Sequence, residues 1–163
     1  NFIVDEIEAK EIEKIAISST KIGNSINQGD LKTTKKYLGR FFSLTGKVVK
    51  GDGLGKQIDY PTANILIEED YKIIPKDGVY YIRTTIDNKL YNGMMNIGHR
   101  PTIGNKAKSI EVNLFNFDMD IYDKVISVDV VVKIRDEKKF SAINALKAQL
   151  AKDEEHCLKL INK

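Results

Sequence analysis

Hydrophobic and polar positions divide the chain into three stretches with different periods. Before about residue 40 the pattern is helical and charged. A short apolar start within Asn1 to Ile17 gives way to Glu8-Ala9-Lys10-Glu11-Ile12-Glu13-Lys14. Ser18-Ser19-Thr20 reads as an N-cap cluster for a short helix carrying Ile22 and Ile26. Gly29-Asp30 stops that helix and caps the next, and Gly39 ends the second after Tyr37-Leu38. From Phe41 to Arg135 the period changes to two. Val79 to Ile86 is rich in β-branched and aromatic residues and runs into an Asp87-Asn88 turn. Ile110, Val112 and Leu114 alternate with Glu111, Asn113 and Phe115, and Ile126, Val128, Val130, Val132 and Ile134 form a period-2 run. Strands joined by short turns, with no helix expected between them, predict an antiparallel barrel or sandwich. The chain closes on one helix, capped by Ser141, with Ile143, Leu146, Leu150, Cys157 and Ile161 on one face. Asp153 falls within that stripe, and a carboxylate on the buried side requires a partner, in a capping or salt-bridge role against the barrel.

Composition narrows the class. A chain of 163 residues with 42% hydrophobic and 30% charged residues suits one domain, or one domain plus a fragment. There is no repeat and no low-complexity tract. A net charge of +3 fits a phosphate-bearing ligand but is no nucleic-acid-binding excess. No apolar run is long enough to span a bilayer and no signal peptide stands out, while the single cysteine, Cys157, excludes an internal disulfide; both fit a reducing, cytoplasmic setting. His99 and His156, the only two histidines, are too far apart in sequence to suggest zinc. The first residue is Asn1 rather than Met, which suggests a chain cut from a longer one.

Candidate chemistry concentrates between Gly46 and Asn64. Gly51, Gly53 and Gly55 stand at alternate positions and Lys56 follows, a backbone free to wrap an anion. Pro61-Thr62-Ala63-Asn64 then makes a rigid corner. In an extended segment Thr62 and Asn64 project the same way, and their oxygens are ligands that magnesium shares with substrate phosphates. The run is not a Walker A sequence, because the spacing differs and no Ser or Thr follows the lysine. It is not a Rossmann fingerprint either, because no helix is expected to start there. Without the corner it is a glycine-rich hairpin loop, and Thr62 and Asn64 alone are turn residues bonding the local backbone; together they make a site.

Three further segments bear on that site. In Gly93 to Gly104, Gly98 and Gly104 bracket a Pro101-Thr102 turn, which is either a long surface connection or an active-site flap. Glu111 is the one acid between Ile110 and Phe115 and lies opposite Val112 and Leu114. It is either a solvent-facing glutamate or a carboxylate placed to accept a proton from a substrate hydroxyl. In the charged turn Ile134 to Phe140, Arg135 can stack on or hydrogen-bond a planar ligand, or serve a solvated ion pair.

In this order the four pieces resemble riboflavin kinase, and more specifically the kinase module of the bacterial bifunctional riboflavin kinase/FMN adenylyltransferase family. The matching runs are Gly51 to Asn64, Met95 to Thr102, Ile110-Glu111 and Ile134 to Phe140, within about residues 40 to 161. The resemblance implies a mostly β fold, a six-stranded antiparallel Greek-key-like β-barrel with a C-terminal α-helix, preceded by a short helical N-terminal segment. It implies ATP-dependent phosphorylation of riboflavin at the ribityl 5′-hydroxyl to give FMN and ADP. Glu111 would be the general base. Thr62 and Asn64 would bind Mg²⁺ and the ATP phosphates, with Pro61 fixing their corner, and the Gly51, Gly53, Gly55 and Lys56 loop would cover the nucleotide. Asn96, Arg135 and Phe140 would help enclose the flavin. Ile17 to Ile22 resembles the Ser-Ser-Thr motif near the end of the family's adenylyltransferase domain. Residues 1–20 would then be a remnant of that domain, 21–40 a helical linker and 41–163 the kinase domain, with no FMN adenylyltransferase activity expected and the missing N-terminal domain as a partner.

The chain departs from the family pattern at three places. Lys56-Gln57-Ile58-Asp59 replaces Arg-x-Leu-Gly, losing the bidentate guanidinium fork. Asp123 follows Tyr122 where glycine is common, and Gly23 stands where arginine is common. If position 59 requires positive φ, aspartate is among the more tolerable replacements. Two other readings compete with the kinase: a flavin- or nucleotide-binding module without catalysis, and a nucleic-acid-binding β-barrel stacking bases on Tyr80, Tyr81, Phe115 and Phe117. Retention of Thr62, Asn64 and Glu111 argues against the first, and the balance of charges against the second.

Overall fold

The computed structural model describes residues 9–51, 53–99 and 108–161. Among them, six strands close into a barrel: β1 (Phe42–Val49), β2 (Ala63–Leu66), β3 (Gly78–Ile86), β4 (Lys89–His99), β5 (Lys108–Leu114) and β6 (Val125–Arg135). Around the barrel their order is β1-β2-β5-β4-β3-β6, with every adjacent pair antiparallel. Helices α1 (Ala9–Gln28) and α2 (Leu31–Leu38) precede it, α3 (Leu54–Gln57) interrupts the β1–β2 connection, and α4 (Ile143–Ile161) ends the chain. Of the two architectures that the period-2 pattern allowed, barrel or sandwich, the closed antiparallel barrel is the one found, with the expected C-terminal helix.

The barrel wall buries side chains on both faces. Leu44, Val48, Ile82, Met95, Ile97, Val112, Val128 and Val130 fill the interior. A second apolar cluster lies on the outer wall: Val79, Tyr81, Met94, Phe115 and Cys157 are buried there, with Val132, Ile134, Leu150 and Leu160 packed against them. The helix that covers this outer cluster is α4, so strands there need apolar residues on the outside as well as the inside.

This double demand corrects the regular reading of β6. The register against β3 slips twice: Ile82 faces Val130 while Tyr81 faces Val132, and Tyr80 faces Lys133 while Val79 faces Arg135. Val131 and Ile134 are the extra residues of two bulges. Ile126, Val128 and Val130 point into the barrel, whereas Val132 and Ile134 have moved to the outer cluster. A bulge adds one residue to one strand and so exchanges its faces; an uninterrupted alternation would have kept these side chains inside and removed the contribution of β6 to the surface that α4 covers.

Asp153 has the partner its place in the stripe required. Its carboxylate, 3% exposed, accepts from Arg135 Nε at 3.0 Å to each oxygen and from Arg135 Nη2 at 2.8 Å. Gln149 Nε2 adds a bond of 2.9 Å from one turn earlier. The buried stripe of α4 is Leu150, Asp153, Cys157 and Leu160; Ile143 and Ile161, expected on it, are 56% and 37% exposed, because the helix ends overhang the barrel. Nor does Ser141 cap the helix: the first bond runs from Leu146 N to Ala142 O, so Ala142 holds the cap position.

At the other end of the chain, Ser18 to Thr20 do not start a helix. They lie inside α1, which runs unbroken from Ala9 to Gln28 and leaves nothing for an N-cap cluster to begin. The later signals hold. Gly29 and Gly39 adopt left-handed backbone, and the Asp30 side chain accepts from Thr33 N. The Asp87-Asn88 turn has φ of +48° and +63°, suited to a two-residue hairpin. Asp59 and Asp123 have φ of +62° and +64°, so both aspartates adopt left-handed backbone. Tyr80, Tyr81 and Phe115 are buried, and Phe117 packs edge-on against Tyr91 at 4.9 Å, so these rings serve the core rather than stacking bases.

Two predictions follow from α4. Replacing Asp153 with alanine leaves the Arg135 guanidinium half-sequestered without its counter-ion; a loss of about 3–5 kcal/mol is expected in denaturant unfolding. Burial pushes the Cys157 thiol up to about 12. A raised folded value holds the thiol protonated, so its contribution is complete below the unfolded value of about 8.5 and is lost as pH rises toward the folded one. Thermal melts should therefore show the gap between the native chain and Cys157→Ala narrowing from pH 8 to pH 10, with Cys157 resisting alkylation in the folded state.

Candidate active site

The predicted corner and the predicted carboxylate meet on the outer wall. In the β-sheet register Glu111 of β5 sits between Asn64 of β2 and Asn96 of β4. The adjacent row, Ala63, Val112 and Met95, faces the barrel interior, so the row with Glu111 faces outward. Directly opposed strand neighbours stand about 4.5–5.5 Å apart, which places a carboxylate between two carboxamides on a rigid frame.

The β1–β2 connection folds over this row. It is a hairpin loop, as its glycines allow, but contrary to expectation a helix does start there: α3 is a single turn following Gly53, whose φ is +72°. The turn closes on Gly55, whose carbonyl accepts from Ile58 N at 3.1 Å and Tyr60 N at 2.9 Å. Both flanking glycines are required by contact. A β-carbon on Gly51 would collide with the Asn64 carboxamide, and one on Gly55 would collide with the Tyr60 carbonyl and stand 3.2 Å from Thr62 Oγ1. Thr62 and Asn64 therefore both lie against the glycine loop. Asn64 is 8% exposed. Lys56 is exposed on α3, and Gly53 is exposed beside it.

A cavity of about 220 Å³ opens beside the corner. Of the expected site residues it brings together Gly55, Thr62, Asn96, Glu111, Arg135 and Phe140; Gly51, Gly53, Lys56, Pro61 and Asn64 are not on its wall. Asn96 lies in strand β4, which extends through His99, so the first part of the Gly93–Gly104 flap is strand rather than loop; its remainder, with the Pro101-Thr102 turn, lies outside the described residues. Arg135 is committed to protein partners, two nitrogens to Asp153 and the third, Nη1, to Asp136 O at 3.0 Å. Its guanidinium stands 5.9 Å from the Phe140 ring.

Several wall residues were not singled out as site residues. Asn113 donates through Nδ2 to Pro61 O at 2.8 Å and so ties the corner to β5; its place on the Glu111 face was the available signal. Leu146 and Leu150 line the wall from α4, as their helical spacing allowed. Tyr60 lines the cavity and donates its hydroxyl to Glu154 Oε2 at 3.2 Å, linking the loop to α4; burial first, then Glu154, raises the phenol above its ordinary value. Glu137 and Lys138 close the rim. No signal beyond the motif around Arg135 pointed to them.

As donors, Thr62 and Asn64 are neutral oxygens. They suit a hard divalent cation that takes its remaining ligands from phosphates and water. Among the described residues no three His, Cys, Asp or Glu side chains stand together as an all-protein metal cage.

A closed antiparallel barrel with an oxygen-donor corner and a strand carboxylate on its outer wall, under a glycine loop, is the class of protein defined so far. The family model described as Flavokinase, riboflavin kinase, matches residues 38–161, and the chain belongs to that family. It is 36% identical over 146 residues to the bifunctional riboflavin kinase/FMN adenylyltransferase of Bacillus subtilis, covering 88% of this chain and 46% of that protein. The chain thus spans about half the length of the curated relatives it matches. Among solved structures, a Streptococcus pneumoniae protein titled a macrolide-efflux protein superposes with a TM-score of 0.79 at 37% identity, over 85% of this chain and 45% of that one. Among the described residues, no helix is long and apolar enough to cross a membrane. The riboflavin kinase of Trypanosoma brucei shares the fold, with a TM-score of 0.53 at 24% identity over 74% of this chain and 80% of that one.

Proposed function

We propose that this chain transfers the γ-phosphoryl group of ATP to the ribityl 5′-hydroxyl of riboflavin, giving FMN and ADP. The observation that carries the reading is the Asn64–Glu111–Asn96 row, set beside the Thr62 corner and the glycine loop and bordered by an apolar wall from α4. The division of labour follows from chemistry. Val79, Met94, Leu146 and Leu150 offer a surface for a flat, weakly polar ring. Glu111, an acceptor held on a strand, orients the attacking hydroxyl and takes its proton. Thr62 and Asn64 would hold Mg²⁺, which would supply neutralisation of the phosphate charge. The backbone from Gly51 to Gly55, with Lys56 at its end, covers the nucleotide. Phosphoryl transfer asks for positioning and charge stabilisation rather than a covalent intermediate, so a site without a nucleophile is sufficient. In this reading residues 41–163 are the kinase module, 21–40 a linker and 1–20 the end of an adenylyltransferase domain; the family match at 38–161 supports the kinase boundary.

The direct test is incubation of the purified chain with riboflavin, ATP and Mg²⁺, followed by chromatography of the flavins. FMN without FAD is the expected outcome. Tight riboflavin binding with no FMN would replace the reading with that of a binding module. Glu111→Gln is expected to lower kcat by about 10²–10⁴-fold while ATP binding, followed by calorimetry, stays near that of the native chain. Near-normal turnover would remove Glu111 from its role.

A further inference from the structure

The cavity rim holds a second carboxylate for which the phosphoryl-transfer reading has no use. Glu137 follows β6 by two residues and is exposed overall, yet its carboxylate is folded back onto β4. There it occupies the space that a side chain at position 98 would fill. A β-carbon on Gly98 would collide with Glu137 Oε1 and stand 3.0 Å from its Cδ and 3.5 Å from Asn96 Nδ2. Gly98 and Asn96 are two residues apart on one strand and therefore share a face, and Asn96 is the register partner of Glu111. The rim thus carries Glu111, Asn96 and Glu137 side by side, with the carboxamide between the two acids. Among the described residues, Glu137 makes no hydrogen bond or ion pair, although Lys138 is adjacent and Arg135 is nearby. Arg135 is spent on Asp153 and Asp136, and Lys138 lies 5.6 Å from the Phe140 ring. A carboxylate held at a cavity mouth without a protein donor is an acceptor for hydroxyl groups of a ligand.

We propose that Glu137 is a specificity-determining residue that accepts hydrogen bonds from the secondary hydroxyls of the substrate's polyol chain. The inference rests on riboflavin as substrate. The reacting terminal hydroxyl belongs to Glu111. The ring belongs to the apolar wall, and the chain between them must pass the polar rim, where Glu137 is the available anionic acceptor. A site built to hydrogen-bond a substrate hydroxyl rejects an analogue lacking it far more strongly than an apolar pocket discriminates by size. Gly98 acts with Glu137 by leaving room for its carboxylate.

The test compares riboflavin with a flavin carrying an unbranched 5-hydroxypentyl chain at N10, which keeps the terminal hydroxyl and lacks the secondary ones. Kd is read by quenching of flavin fluorescence and kcat/KM by FMN-type product formation. The native chain is expected to prefer riboflavin. Glu137→Ala should reduce that preference by about 10- to 100-fold, the range of a hydrogen bond to a charged group. The reduction should come from weaker riboflavin binding, with the analogue unchanged. Glu137→Gln should restore part of it, and Gly98→Ala should reproduce the loss with the carboxylate still in the chain. Because Glu137 is exposed and unpartnered within the described fold, the melting temperature should not move; if the alanine variant failed to fold, the glutamine variant is read against the same scale. An undiminished preference in Glu137→Ala overturns the proposal, as does a native chain that binds both flavins equally or neither. A binding preference that depends on Glu137 in a chain that forms no phosphorylated flavin would uphold this inference and sink the kinase reading alone.

Discussion

A guanidinium and a carboxylate that leave water together must satisfy each other, and Arg135 and Asp153 hold α4 to the barrel by that necessity. A closed barrel has no pocket of its own, since its interior is packed with side chains. The pocket here is the space between the outer wall and whatever lies on it. With α4 fixed by the pair, Leu146 and Leu150 become a wall and Glu154 reaches the Tyr60 hydroxyl on the glycine loop. Two bulges in β6 make this possible: they turn Val132, Ile134 and Arg135 outward on a strand whose first half faces inward. Such a pair adds little net stability over an apolar substitute. Its contribution is geometric, because bidentate bonding accepts one orientation of the helix and few others.

The remaining parts of the site take their precision from strands. The Asn64–Glu111–Asn96 row spans three neighbouring strands whose inner faces are locked in the core, so none of the three backbones can shift alone. The glycine loop carries no such guarantee, and it is pinned to β5 by the Asn113–Pro61 bond and to α4 by Tyr60. The Asp59–Lys147 contact of 2.8 Å spans the same gap, but Asp59 is 84% exposed and such pairs contribute little. The candidate site therefore sits on rigid elements, while the cover over it is tied at a few points.

Much of this was legible in the chain. Period-2 alternation announced the strands, Gly29, Asp30 and Gly39 marked helix ends, and the Pro61-Thr62-Ala63-Asn64 corner and Glu111 are segments that the β2–β5 register sets side by side. The failures share a cause. Ser18 to Thr20 have strong cap propensity, but propensity is a weak local force that continued helical packing overrides. The run from Ile126 to Ile134 is equally apolar whether or not the strand is bulged, so the exchange of faces leaves no trace in the pattern. Glu137 lies in a charged turn where any carboxylate looks solvated; its significance depends on the missing side chain at Gly98, which is 39 positions earlier. Contacts decided by distant residues are invisible to local reading, and the cavity wall consists mostly of such contacts.

The wall that spans Gly55 to Leu150 has a consequence for how this molecule responds to its ligands. The residues that would touch substrate come from five of the six strands' neighbourhoods and from the last helix, so no fragment or partly folded form presents them together. Anything that binds there binds the native state alone, and occupancy then adds RT ln(1 + [L]/Kd) to the free energy of unfolding. At a ligand concentration a hundred times Kd this is about 2.7 kcal/mol, a large share of the roughly 5–15 kcal/mol that a domain of this size has in hand. The supply of its own ligands thus becomes a determinant of how long the chain survives intact.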